Sequence, residues 1–145
     1  MFFFGQYDHS IDDKGRLTVP AQYRDLLAGG AYLTRGMEKN LIVIRSEDFQ
    51  TLYHKMKAMS LTDIDASDFG RLFFGNASLL ELDKAGRILL PQFLRKDIDL
   101  DTQVKIVGLG AYFELWSPEN WSGKEKILND RENLANKLKH LNLTF

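Results

Sequence analysis

The residue types best placed to do chemistry lie in two short runs, Asp12-Asp13-Lys14-Gly15-Arg16 and Asp83-Lys84-Ala85-Gly86-Arg87. In each run an arginine follows a turn glycine at the start of a strand, which turns its side chain to the polar face. Arginine suits bidentate contact with guanine edges or phosphates. Lys14 lies two residues before Arg16 and shares that face across the turn. In the second run the basic partner is Lys84, three residues before Arg87, and Ala85 stands where Lys14 stood. A second account needs no ligand. Asp before a glycine-containing turn hydrogen-bonds the turn's own backbone, and Asp12–Arg16 and Asp83–Arg87 would pair to hold it. Gly15 and Gly86 serve a tight turn in either case. From the residues alone, nucleic-acid contact and a solvated, turn-stabilising basic face stand side by side.

Enzymatic chemistry finds less support. Asp12 and Asp83 could form a carboxylate pair across a pseudo-twofold, but their turn role is the simpler account. The three histidines, His9, His54 and His140, fall in a strand, a helix and the tail, none with a second histidine at ligand spacing. No P-loop, dinucleotide fingerprint or nucleophile elbow is present. The expectation is a protein with no catalytic residue, no metal and no cofactor.

The elements that position the two runs repeat. Gly15-Arg16-Leu17-Thr18-Val19-Pro20 recurs 71 residues on as Gly86-Arg87-Ile88-Leu89-Leu90-Pro91, with Asp12 matching Asp83 and Arg24 matching Arg95. Gly36 through Ile44 then parallels Gly108 through Trp116 at an offset of 72. A shared register of Asp, Gly, Arg and Pro marks a duplication. Each copy reads as strand, tight turn, strand, short helix opened by proline, then two strands. In the first copy these are Gln6–Ile11, the turn 12–15, Arg16–Val19, a helix Pro20–Leu27, and strands near Tyr32–Arg35 and Leu41–Arg45. The second copy gives Leu79–Leu82, a turn at Asp83–Gly86, Arg87–Leu90, a helix from Pro91, Gln103–Val107 and Phe113–Trp116.

Between the copies, Ser46 is expected to cap a helix whose stripe Phe49, Leu52, Tyr53, Met56 and Met59 faces the core. A second helix runs from about Thr62 or Ser67 to Phe74. After the second copy, Ser117-Pro118-Glu119 starts a segment reaching about Leu141, with Ile127, Leu128, Leu134, Ala135, Leu138 and Leu141 as its stripe and a fraying tail. The expected organisation is a first repeat at 5–50, a helical insert at 51–75, a second repeat at 76–121, and a C-terminal helix and tail at 122–145.

Composition narrows the class. The 145 residues carry 19 Lys+Arg against 20 Asp+Glu, a net charge of −1, with 44% hydrophobic and 27% charged residues. That is the balance of a globular chain able to bury a core unaided. The absence of cysteine excludes disulfides, Cys-based zinc sites and a thiol nucleophile. No apolar run approaches the roughly 18 residues of a membrane span, and the N-terminus lacks the basic region of a signal peptide. An intracellular, cytoplasmic protein is therefore expected. The total charge argues against nucleic acid only until its distribution is read. Acids gather at Asp63, Asp65 and Asp68 and at Asp97, Asp99 and Asp101, away from the turns.

The chain resembles the MraZ family of bacterial transcriptional regulators. The resemblance rests on the opening Met1–Gly5, on Asp13-Lys14-Gly15-Arg16-Leu17 with Pro20 and Arg24, and on Arg71–Ala77. It continues through Ala85-Gly86-Arg87-Ile88, Val107-Gly108 and Phe113–Trp116. It implies an α+β fold with two SpoVT/AbrB-like repeats, swapped hairpins that close one pseudo-dimeric β-barrel, with flanking helices. It further implies sequence-specific binding of double-stranded DNA at tandem promoter repeats of the division and cell-wall gene cluster. The binding form would be a ring-shaped homo-oligomer, often octameric, nucleoid-associated and apart from any membrane. The DNA contacts carry over to Lys14 and Arg16, with Gly15 allowing close approach, and to Lys84 and Arg87 in the second repeat. The alternative is an antitoxin- or adaptor-like AbrB barrel that binds protein and not DNA. Phe2-Phe3-Phe4 is a small departure, read as packing into a subunit interface.

Overall fold

A computed structural model describes residues 1–143. Strand β1 (Gln6–Ser10) leads through the first tight turn to β2 (Arg16–Thr18), helix α1 (Ala21–Arg24) with a 3-10 turn at Asp25–Leu27, and the strands β3 (Ala31–Arg35) and β4 (Leu41–Arg45). Helices α2 (Ser46–Lys57) and α3 (Ile64–Phe73) follow. The second copy supplies β5 (Ser78–Leu80), β6 (Arg87–Leu89), α4 (Gln92–Asp97), β7 (Gln103–Gly108) and β8 (Tyr112–Trp116). The chain then forms α5 (Pro118–Asn129), α6 (Arg131–Leu138) and a 3-10 turn at Lys139–Leu141. The α+β class and the repeated element order expected from the sequence are both present.

Six strands make one antiparallel sheet in the order β1-β7-β8-β4-β3-β5, and β2 pairs with β6 in a separate ribbon. The order exchanges strands between copies. Strand β1 pairs with β7 of the second copy, while its counterpart β5 pairs with β3 of the first. Strands β4 and β8 meet at the centre, Ile42 opposite Glu114 and Val43 opposite Phe113. The first two strands of each copy pair with strands of the other, and the two halves share one hydrophobic core. Leu17, Val19, Leu33 and Val43 of the first copy pack there with Ile88, Leu90, Ile106 and Phe113 of the second. Burying each such side chain stabilises the fold by about 1.5–3 kcal/mol.

The N-terminal aromatics divide. Phe3 bridges to Gly110 and is fully buried, its ring edge-on to Tyr23 and Phe113, whereas Phe2 and Phe4 stay exposed. Tyr23 donates its hydroxyl to the Phe4 carbonyl at 2.7 Å, and burial pushes its pKa up to about 12.

The insert covers the other face of the central sheet. Ile42 and Ile44 point away from the main core and pack with Phe73, Phe49, Leu52 and Phe69, which makes β4 apolar on both faces. Phe49 stacks on Tyr32 with ring centroids 4.0 Å apart. The expected core-facing stripe is therefore half right. Helix α2 ends at Lys57, so Met59 lies beyond it, 53% exposed, and Tyr53 leans edge-on against Phe74 with 47% of its surface open.

Ser46 does not cap. It is the first helical residue, and its N–H donates to the Gly30 carbonyl at 3.0 Å. Asp63 caps α3 instead, accepting from the N–H groups of Asp65 and Ala66. Ser117 caps α5 as expected, with Pro118 in the first turn. The expected single C-terminal segment is broken at Asp130, which leaves helical φ/ψ (−80°, 78°) and caps α6 through Asn133 N–H. Residues 144 and 145, the end of the tail expected to fray, lie outside the described residues.

Candidate nucleic-acid interface

The two turns are built alike, atom for atom. Asp12 Oδ1 accepts from the N–H groups of Lys14 (3.0 Å) and Arg16 (2.8 Å), and Oδ2 accepts from Arg16 Nε at 2.7 Å. Asp83 Oδ1 accepts from the N–H groups of Ala85 and Arg87, both at 2.9 Å, and Oδ2 from Arg87 Nε at 2.7 Å. Gly15 and Gly86 close the turns at φ +82° and +78°, a region that disfavours a side chain. The Asp–Arg pairing weighed from the sequence is thus present in both copies. It engages one edge of each arginine, and among the described residues the Nη groups of Arg16 make no hydrogen bond. The outer donors of Arg16 are left open, while Arg87 Nη1 lies 4.0 Å from Asp12 Oδ2.

The same bonds set an acid limit. Backbone N–H donation from Arg16 is the largest influence holding Asp12 below the usual carboxylate range; burial opposes it, and the Arg16 guanidinium adds to it. Asp83 is lowered in the same way through Arg87. A carboxylate lowered in the folded state contributes stability above its unfolded pKa, near 3.8, and loses it as pH falls through the folded value. Acid should therefore loosen both turns below about pH 3.8, and the Asp12→Asn/Asp83→Asn protein should show a flatter acid limb. A circular-dichroism titration from pH 6 to 2 checks this, and superimposable curves would contradict it.

The ribbon brings the two arginines together. Leu17 pairs opposite Ile88, Arg16 opposite Leu89 and Thr18 opposite Arg87. Because side chains alternate across a strand, Leu17 and Ile88 enter the core while Arg16, Thr18, Arg87 and Leu89 share the outward face. Both arginine side chains are 31% exposed, and Arg87 Nη1 lies 4.0 Å from Asp12 Oδ2, so both guanidinium groups approach the Asp12 carboxylate. Lys14 and Lys84 are exposed on the turn tips. All five expected residues, Lys14, Gly15, Arg16, Lys84 and Arg87, therefore gather on one feature. Leu89, 58% exposed, occupies the place that Thr18 holds in the first copy. Sequence reasoning passed over it, although the alternation that buries Ile88 and Leu90 already turns it outward.

A second pair of arginines supports the ribbon from behind. Arg24 Nε donates to the Val19 carbonyl at 3.0 Å, and Arg95 Nε to the Leu90 carbonyl at 2.9 Å. Val19 N–H donates to Gly86 O, and Leu90 N–H to Gly15 O, each at 2.9 Å. The end of each ribbon strand is thus fastened to the turn of the other copy. The matched spacing of Arg24 and Arg95 was visible in the sequence; their reach into the opposite copy was not.

Elsewhere, a cleft of about 380 Å³ lies between the sheet and the insert, lined by Ile42, Ile44, Leu52, Phe69, Tyr112 and Glu114. Burial pushes the Glu114 carboxyl up, against hydrogen bonds from Trp116 Nε1 (2.9 Å) and Asn40 Nδ2 (2.8 Å). His9 Nδ1 lies 2.6 Å from the Thr18 carbonyl, tying β1 to the ribbon. Among the described residues no group of three or more His, Cys, Asp or Glu could hold a metal ion, and no helix is long and apolar enough to cross a membrane.

A family model described as "MraZ protein, putative antitoxin-like" matches the chain twice, over residues 2–72 and 73–144. The chain belongs to the MraZ family. Among its relatives, the transcriptional regulator MraZ of Thermomicrobium roseum is 41% identical over 126 residues, 87% of this chain and 89% of that protein. The transcriptional regulator MraZ of Heliobacterium modesticaldum is 43% identical over 137 residues, covering 94% and 96%. That of Alkaliphilus metalliredigens is 38% identical over 142 residues, covering 97% and 99%. The two MraZ matches fit the structural repeat and extend it. Each holds four strands followed by two helices, α2 and α3 in the first and α5 and α6 in the second.

Proposed function

We propose that this MraZ-family protein is a sequence-specific DNA-binding transcription regulator that reads double-stranded DNA with the outward face of the β2–β6 ribbon. The observation that carries the proposal is the placement of Arg16 and Arg87 on that one face, with Lys14 and Lys84 at its tips. The major groove, about 12 Å wide, admits a two-stranded β-ribbon. Arg16 and Arg87 reach base edges or phosphates, Lys14 and Lys84 reach phosphates, and Gly15 lets the backbone come close. Leu89 offers an apolar contact of the kind thymine methyl groups accept. The second turn is the less basic, with Ala85 in the place of Lys14.

The finer reading follows from charge. With a net charge of −1 and so few basic groups on the ribbon, one subunit makes few phosphate contacts and binds weakly and salt-sensitively. A ring-shaped homo-oligomer, such as an octamer, presenting several ribbons to tandem promoter repeats would gain affinity through effective concentration. Its targets would be the repeats before the division and cell-wall gene cluster, and its place the cytoplasm and nucleoid. The exchanged strands support the swapped-hairpin barrel as the scaffold of each subunit. Titration against promoter fragments carrying one, two or more repeats tests the mechanism. Affinity should rise steeply with repeat number, and a flat response would sink it.

One observation favours a second reading, a protein-interaction module. The stripe of α5, α6 and the 3-10 turn after them is left largely open, with Ile127, Leu138 and Leu141 exposed. Capture of a protein partner through these helices, without retention of promoter DNA, would favour it.

A further inference from the structure

We infer that Arg24 and Arg95 are positioning residues for DNA reading, each holding the turn that belongs to the opposite copy; the inference rests on the ribbon being the DNA-contacting face. Most arginines here meet a carboxylate. Arg16, Arg35, Arg45, Arg71 and Arg87 each lie within 4.0 Å of one, whereas among the described residues Arg24, Arg95 and, on α6, Arg131 have none. What Arg24 and Arg95 touch is backbone. Arg95 Nε is fastened to the Leu90 carbonyl, and its guanidinium lies over Gly15 so closely that a Cβ there would stand 2.9 Å from Nη2 and 3.1 Å from Cζ. Arg24 is fastened to the Val19 carbonyl and covers Gly86, where a Cβ would stand 2.5 Å from Nε and 2.7 Å from Cζ. Both glycines are buried beneath these side chains.

The geometry forms two crossed units, Gly15–Leu90–Arg95 and Gly86–Val19–Arg24. Each joins a turn of one copy to a strand end and an arginine of the other. Asp12 and Asp83 define each turn internally, and one backbone hydrogen bond ties its glycine to the strand end of the opposite copy. The crossed arginines press against that same glycine, and so help set where Arg16 and Arg87 stand relative to each other. A planar fork suits this, because Nε must donate to a carbonyl while the rest of the guanidinium lies against a glycine. Lysine keeps the charge and loses the geometry.

The test uses the full chain as Arg24→Ala, Arg95→Ala and Arg95→Lys. Promoter binding is followed by fluorescence anisotropy across a salt series, and hydrogen exchange is followed without DNA. All three variants should lose about tenfold in affinity, the effect of one lost hydrogen-bonded support. The slope of affinity against salt should stay that of the unaltered protein, because no phosphate contact is removed. Exchange should quicken at 12–16 in both Arg95 variants and at 83–87 in Arg24→Ala, each change appearing in the opposite copy. Full affinity in Arg95→Lys would overturn the inference, as would a lowered salt slope with unchanged exchange; either outcome makes the arginines phosphate contacts. Quickened exchange with undiminished DNA affinity would also overturn it, leaving a purely structural clamp. Should the unaltered protein retain no promoter DNA, the functional reading fails, and the crossed exchange pattern still decides whether the clamp exists.

Discussion

On the proposed function, Arg16→Ala should nearly abolish promoter binding while leaving the protein's size in solution unchanged. The outer donors of Arg16 are open on the ribbon face, and its loss removes one arginine contact per subunit, about 1–3 kcal/mol of discrimination where that contact is bidentate to a base. If several subunits engage tandem repeats, the loss recurs at each, and two such losses come to about 2–6 kcal/mol, roughly 30-fold or more. The cost to the fold is small by comparison. Asp12 keeps its bonds from the backbone N–H groups of residues 14 and 16, and both partners of the lost ion pair are about one-third exposed, which places its worth within the 0–1 kcal/mol of surface pairs. Arg87→Ala should lose less, because its turn carries Ala85 and its guanidinium is drawn toward Asp12 as well as Asp83. Gel shift and size-exclusion chromatography on the same preparation check both halves of the expectation. Wild-type affinity in Arg16→Ala would move the reading surface elsewhere.

Some parts of this interface were legible in the residues because their physics is local. Asp12 and Asp83 act on N–H groups two and four residues ahead, and Gly15 and Gly86 are required by their own φ angles. Period-two alternation placed Arg16 and Arg87 outward without knowledge of any partner strand. What was not legible depends on which strand meets which. A duplication at offset 71 is equally compatible with two hairpins folding side by side and with the exchange seen here, where β1 and β5 change places. The roles of Arg24 and Arg95 exist only after that exchange, since the glycine each covers lies in the other copy. Ser46 misled because a good capping residue sits one position inside the helix, where the Gly30 carbonyl takes its N–H. Asp130 broke the last helix by a capping bond of its own, a signal present in the sequence but outweighed by the continuing apolar stripe. Matched glycines also diverge in duty. A Cβ at Gly36 would meet the Asn40 side chain, whereas at Gly108 it would meet Tyr23 Oη and the Phe3 backbone.

Gly86→Ala should destabilise the protein by about 2–3 kcal/mol and weaken DNA binding with it. Two costs combine. A side chain at φ +78° carries the left-handed penalty of about 1–2 kcal/mol. The new methyl would also stand 2.5 Å from Arg24 Nε, forcing the guanidinium off Gly86 and off the Val19 carbonyl, a further loss of about 1 kcal/mol. For a chain of this length each kcal/mol lowers Tm by roughly 2–4 °C, so a drop of about 4–12 °C is expected. The two costs are separable. Gly86→Asn eases the φ penalty, because asparagine tolerates the left-handed region, but leaves the collision. In Arg24→Ala/Gly86→Ala the collision is gone, and the losses should combine to less than their sum, since residues in direct contact couple by 0.5 kcal/mol or more. Strict additivity in that cycle would mean that Arg24 and Gly86 do not touch, and the crossed clamp would fall with the contact. Coupling between positions 24 and 86, a residue of the first copy and a turn of the second, would instead tie the exchange of strands to the placement of Arg87 on the reading face.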